Sequence, residues 1–300
     1  MDARPTTAPP AETADWVRSV AATHDPRVGA TTPVFPLITP ALPTRPLAGE
    51  RADVYICAGV MVRLHAAGTD AAALTGRLSC LGGTDMDRLW IQPLAYRPFA
   101  GPGGRLGSLW PRVTVLSTVD SPPWQRAGVL LAGLHRAEVA GTPLRHDGPS
   151  RLRRASEWLA ANRPDQGLVA TAAELQDALA RPRLVTWVHG DFHLGQLGHT
   201  PLRSSWKLLD PDGFGLGDPA WDLGRVAGFW AAGLIDDAAW AAFFNAYTDA
   251  GGPAVRDTDE LWDALAVPAK AALLIVAVRQ LETGHEAEAD ILLDAVRRLS

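Results

Sequence analysis

Cysteine and lysine are almost missing from this chain. Cys57 and Cys80 are the only cysteines, too few for a disulfide framework and not spaced as a metal site. Lysine occurs only at Lys207 and Lys270, and no glutamate stands between Glu50 and Glu138. A basic excess is missing too: the formal net charge is −5, which argues against phosphate-backbone binding and so against a nucleic-acid partner. Residues 1–14 lack the basic-then-apolar order of an export signal, and the most apolar late run, Ala264 to Val278, is interrupted by Pro268 and Lys270. No membrane partner is expected, and the expected location is cytoplasmic.

What is present describes an ordinary globular chain, 47% apolar and 20% charged, whose 300 residues suffice for one large core or two lobes. Arginine and alanine are plentiful, a bias that resembles proteins of high-GC actinobacteria. The most informative stretch runs from Leu184 to Arg225. Two β-prone runs, Val185 to Val188 and Trp206 to Leu209, each end in a polar loop that opens on an aspartate, Asp191 or Asp210. A loop of the form H-G-D-x-x-x-x-Q followed by a strand and a second aspartate suits phosphoryl transfer. One carboxylate accepts the proton of an attacking hydroxyl, while an amide and the second carboxylate hold Mg²⁺ against nucleotide phosphates. Hard oxygen donors suit that ion.

Three ordered blocks, His189-Gly190-Asp191 to Gln196, Leu209-Asp210, and Gly217-Asp218-Pro219-Ala220-Trp221-Asp222-Leu223, resemble the core of the aminoglycoside phosphotransferase and choline kinase-like superfamily. The string HGDFHLGQ is most similar to its maltokinase and glucosamine kinase branch. The resemblance implies an α+β, bilobal protein kinase-like fold with a small β-rich N-lobe and a larger helical C-lobe. It makes Asp191 the base, Gln196 and Asp210 the metal ligands, and Asp212 a ligand to a second Mg²⁺ or a solvated carboxylate. His189 is then structural, or a second candidate for the base. Asp218 braces the loop, Asp222 does the same or caps the next helix, and His193 is a substrate contact.

Upstream, Val54 to Cys57 and Val60 to His65 around Ala58-Gly59 form a β-hairpin, with Met61, Arg63 and His65 on one face of the second strand. The family carries a phosphate-binding lysine on such a strand; here Arg63 holds the place. The helix-borne glutamate that pairs with that lysine has no counterpart, and Asp70 is either its substitute or the N-cap of a helix over Ala71 to Leu81. The stretch Leu47 to Asp53, where a phosphate-covering loop belongs, has one glycine. Strands are expected at Leu89 to Gln92 and Leu106 to Trp110. Trp110-Pro111-Arg112-Val113 resembles the family's hinge, with the Val113 N–H offered to the base of the nucleotide.

Domain boundaries follow: a loose tail over 1–14, with a helix over Ala14 to Thr23, a nucleotide-binding lobe over 15–112 and a catalytic, substrate-binding lobe over 113–300. In the last, helices are expected from the spacing of Ala127, Leu130, Leu131 and Leu134, over Leu152 to Asn162, from a Thr171–Glu174 capping box to Arg181, and over Leu223 to Ala232, Asp237 to Asp249, Asp259 to Leu265, Ala269 to Leu281 and Glu286 to Leu299. The expected activity is transfer of the terminal phosphate of ATP or GTP, with Mg²⁺, to a hydroxyl of a sugar, aminosugar or aminoglycoside. Asp257, Asp259, Glu260 and Asp263 would suit a cationic substrate or face water. Two alternatives stand beside it: transfer to Ser or Thr of a peptide or protein partner, and a pseudokinase acting as a binding module.

Overall fold

The computed structural model describes residues 9–37, 52–116, 121–139, 144–201, 205–255 and 258–299. The chain divides into two compact units, Met1–Val115 with Gly198–Leu209, and Leu116–Leu197 with Asp210–Ser300. The expected phosphate-covering segment up to Arg51, Glu50 included, and Asp257 lie outside the described residues, as do residues 1–8 of the expected tail.

Helix α1 (Ala11–Ala22) opens the first unit, beginning three residues before the expected Ala14 and running into the expected tail. Val17 and Ala21, one turn apart, are fully buried against the sheet. Strand β1 (Val34–Pro36) pairs with β2 (Asp53–Cys57), and β2 with β3 (Val60–Leu64), all antiparallel. The hairpin turns at Ala58, whose φ of 52° is a conformation few non-glycine residues adopt. It is held by Asp25, whose carboxylate accepts the Gly59 N–H at 3.1 Å and pairs with Arg27 at 2.7 Å.

Helix α2 (Ala71–Cys80) is capped by Asp70, whose side chain accepts the N–H groups of Ala72 and Ala73. Of the two readings of Asp70, the structure shows the cap. The expected strand at Leu89 to Gln92 is not formed: α3 (Thr84–Leu89) occupies its start, and Trp90 makes only an isolated bridge to Leu208. The local charges explain the helix, with Asp85 and Asp87 in its first turn and Arg88 at its end. Strand β4 (Phe99–Ala100) pairs with β5 (Leu106–Pro111), which lies along β3, giving the sheet order β1-β2-β3-β5-β4; β6 (Thr114–Val115) follows.

The second unit begins with α4 (Trp124–Arg136), α5 (Gly148–Asn162) and α6 (Gln166–Leu179). The expected capping box is overturned: α6 starts five residues before Thr171, where Asp165 accepts the N–H groups of Gly167 and Leu168. Strand β7 (Thr186–Val188) leads into the H-G-D loop. The chain then contributes β8 (Leu197–His199) and β9 (Lys207–Leu208) to a sheet with β6 in the first unit. Back in the second unit, β10 (Gly215–Gly217) pairs antiparallel with β7 and leads into α7 (Ala220–Ala231) and α8 (Asp237–Asp249).

Where two helices were expected around Pro268, a single α9 (Leu261–Glu282) runs through, followed by α10 (Glu286–Arg298). At Pro268 the helix packs tightly on α7: a Cβ on Gly224 would meet the Pro268 backbone at 2.6 Å. By length and composition α9 is one helix that could cross a membrane. Leu273, Leu274 and Ala277 are instead fully buried in one core with Leu152, Leu168 and Leu293. The observed β-bearing first unit and helical second unit agree with the expected kinase-like architecture.

Candidate active site

The pairing of β7 with β10 decides where the two acidic loops go. Val188 lies opposite Gly215, so His189-Gly190-Asp191 and the turn Asp210 to Gly213 leave neighbouring strand ends. They approach backbone to backbone: Gly190 has φ 81°, and a Cβ there would lie 2.1 Å from the Gly213 carbonyl oxygen. Only glycine fits such a contact.

Helix α7 holds the first loop from behind. Asp222, buried in its first turn, accepts the Gly190 N–H at 2.9 Å and the His189 N–H at 2.6 Å, and Trp221 Nε1 donates to the Gly190 carbonyl at 3.0 Å. Asp222 Oδ2 also lies 3.1 Å from His135 Nε2 of α4, whose other ring nitrogen is 2.8 Å from the Tyr247 hydroxyl. Burial pushes the Asp222 carboxyl up, yet His135 and the loop amides outweigh it and hold the group below its ordinary value. Asp222 is thus a brace and not a cap. Asp218 differs from the expectation: it accepts the Arg183 and Ala220 N–H groups and so anchors the entry to β7 and the start of α7.

His189 is fully buried, and its Nδ1 accepts the Asp191 N–H at 3.4 Å, a contact within the loop. His193 caps the 3₁₀ turn Leu194–Gln196 by accepting the Gly195 N–H at 3.1 Å. Burial and the charge of Arg225 push its pKa down to about 3, with Asp191 opposing, so the ring is neutral.

Asp191 is held by two arginines that the sequence reading did not identify. Arg151 of α5 lies 2.5 Å from Oδ2, and Arg225 of α7 lies 3.5 Å from Oδ1. Burial raises the carboxyl pKa, but these two cations bring it below the ordinary value, so the group is an anion at neutral pH. Arg225 had a signal: it lies three residues after Asp222, on the same helix face. Arg151, forty residues before the loop, had none.

Gln196 Nε2 donates to the Asp210 carboxylate at 3.4 Å, so the two expected metal ligands are neighbours. Asp210 adopts φ 58° and accepts the Asp212 N–H, which closes the turn. Among the described residues no three His, Cys, Asp or Glu side chains cluster as a metal site. The donor types nevertheless suit Mg²⁺: the Asp210 carboxylate and, with the amide turned over, the Gln196 oxygen are hard ligands for an ion that keeps several waters and takes its remaining ligands from phosphate.

In the first unit Arg63 lies half-buried on β3, opposite Val54 and Ser108. Trp110 is the penultimate residue of β5, its Nε1 donating to Ser108 Oγ at 2.9 Å. The Val113 N–H donates to Met61 Sδ at 3.4 Å, a weak contact.

The fold is that of the kinase-like small-molecule phosphotransferases. A choline/ethanolamine kinase family protein from Mesorhizobium loti superposes with a TM-score of 0.63 at 18% identity, covering 96% of this chain and 94% of that one. A macrolide 2'-phosphotransferase type I gives 0.56 at 16% identity, over 98% and 99%. The GDP complex of aminoglycoside 2'-phosphotransferase-IIIa gives 0.60 at 12% identity, over 95% and 97%. In sequence, residues 119–266 match the phosphotransferase enzyme family, a span that contains Arg151, Asp191, Gln196, Asp210, Asp222 and Arg225. No curated protein sequence matches the chain.

Proposed function

We propose that this protein is a phosphotransferase that moves the terminal phosphoryl group of ATP or GTP to a hydroxyl of a small polar molecule, a sugar, aminosugar or aminoglycoside. The HGDFHLGQ loop favours the maltokinase and glucosamine kinase type within that class. The observation that carries the reading is the meeting of the Asp191 loop with the Gln196–Asp210 pair, inside a span matching a phosphotransferase family.

Asp191 orients the acceptor hydroxyl. The hydroxyl oxygen attacks the terminal phosphorus, the bond to the bridging oxygen breaks, the nucleoside diphosphate leaves and the hydroxyl proton passes to Asp191. A carboxylate held anionic by arginines is a weak base, which suits a loose transition state in which the proton moves late. Asp222 keeps the loop in place from its backbone. Mg²⁺, held by Gln196 and Asp210, would neutralise charge on the phosphates. For the first unit the reading assigns Arg63 to phosphate, and Trp110 and Val113 to the nucleotide base, on the family resemblance alone.

Calorimetric titration with ATP and GTP, with and without Mg²⁺, tests this on wild type and Asp210→Asn. Mg²⁺-dependent binding that the variant loses supports it. Binding of neither nucleotide overturns it in favour of a binding module.

A further inference from the structure

We propose that the acceptor received beside Asp191 is an anion, a hydroxyl compound bearing a carboxylate or a phosphate ester, and that Arg225 receives its charge. This rests on the phosphotransferase reading of the same site and narrows its substrate class.

The two arginines that touch Asp191 are not equivalent. Arg151 is shared between Asp191 at 2.5 Å and Asp147 at 3.3 Å, so two carboxylates answer its charge. Arg225 has one loose ion pair, 3.5 Å from Asp191, and lies 5.7 Å from the centre of the Phe229 ring. Its Nε is buried and, among the described residues, donates to nothing. A guanidinium has five N–H donors in a planar fork, and a buried N–H left unanswered costs free energy until an acceptor arrives.

Like charge surrounds it. Burial lowers the Arg225 pKa and Asp191 opposes that, while Arg279 of α9 and Arg151 add repulsion. His193 itself is neutral and adds no charge of either sign.

A carboxylate or phosphate matches the fork of Arg225 with two parallel hydrogen bonds and relieves the repulsion between the arginines. An ammonium-bearing acceptor would add to that repulsion. Asp259, Glu260 and Asp263, the acidic residues that the sequence offered to a cation, are exposed at the start of α9. The same chemistry therefore separates an acidic sugar derivative from a polycationic antibiotic.

The test uses gluconate and glucose 6-phosphate as anionic probes against glucose and glucosamine, each titrated calorimetrically into the full chain with and without Mg²⁺ and ATP. At least one anion is expected to bind tenfold or more tightly than both glucose and glucosamine. Arg225→Gln should weaken it by tenfold or more, and Arg225→Lys, which keeps the charge without the planar fork, by less; the second variant guards against misfolding in the first. Which of the two anions binds separates carboxylate from phosphate recognition. No anion binding more tightly than its uncharged counterpart, or anion binding indifferent to both variants, overturns the proposal. Transfer assays on the same compounds keep the two readings apart. Anion binding without transfer to any acceptor would sink the phosphotransferase and leave the anion site. Preferred phosphorylation of glucosamine or an aminoglycoside would do the reverse.

Discussion

The carboxylate of Asp222 accepts the backbone N–H of His189 at 2.6 Å across 33 residues of sequence, and the same oxygen lies 3.1 Å from the ring of His135. A helix-borne anion therefore fixes the loop that presents Asp191, and a histidine on a different helix fixes the anion.

Removing that anion leaves two loop amides and a histidine buried without their acceptor. Asp222→Ala is expected to destabilise the fold by roughly 3–5 kcal/mol. His135→Ala should cost less, about 1–3 kcal/mol, because it leaves one acceptor partly unanswered. Since both act through one network, the double variant should lose less than the sum of the two. Denaturant titration of the three variants checks this, and additive losses would show that the contacts are independent.

Gly190 and Gly284 both have positive φ, 81° and 79°, but only Gly190 is crowded. A Cβ on Gly284 meets nothing within 4 Å, so Gly284→Ala should cost only about 1 kcal/mol, for the left-handed backbone. Gly190→Ala carries that cost and must also part the loop from the Gly213 carbonyl. Its loss should exceed that of Gly284→Ala by roughly 2 kcal/mol or more, and it should cut turnover by moving Asp191. Equal melting temperatures for the two variants would contradict the close approach.

His146 packs edge-on against Trp221, 5.2 Å between ring centres, and accepts the Gly148 N–H. Burial, opposed by Asp222, pushes its pKa from 6.5 down to about 4. The unfolded chain therefore binds a proton that the folded chain refuses between those values, so stability falls as pH drops through that window, by about 3 kcal/mol in all. Above pH 6.5 the term is flat. His146→Gln should remove this part of the pH dependence, read from unfolding free energies at pH 7, 6, 5 and 4.

Local patterns were readable where neighbouring residues alone decide the structure. The hairpin around Ala58-Gly59 and the H-G-D loop need only a few adjacent side chains, and both formed at the expected places. The start of α6 was misread because Asp165 and the run Leu168, Ala172, Leu175 precede the more conspicuous Thr171–Glu174 pair. Trp90 and Ile91 suggested a strand on apolar character, while the preceding acidic residues made a helix. Pro268 suggested a break, yet one helix runs through it, packed against Gly224. In the site, the brace by Asp222 was one of two readings. The grip of Arg151 on Asp191 depends on how α5 lies against the loop, which no spacing in the sequence encodes.

The most direct measurement is the rate of phosphoryl transfer from γ-labelled ATP and GTP by Asp191→Asn beside wild type, with the acceptor that wild type uses. Asparagine keeps the size of the side chain and removes its capacity to take a proton. A fall of about 10² to 10⁴ in turnover by the folded variant, with nucleotide affinity close to wild type, is the predicted result. Turnover by a folded Asp191→Asn within a few-fold of wild type would contradict the role of Asp191 as the base.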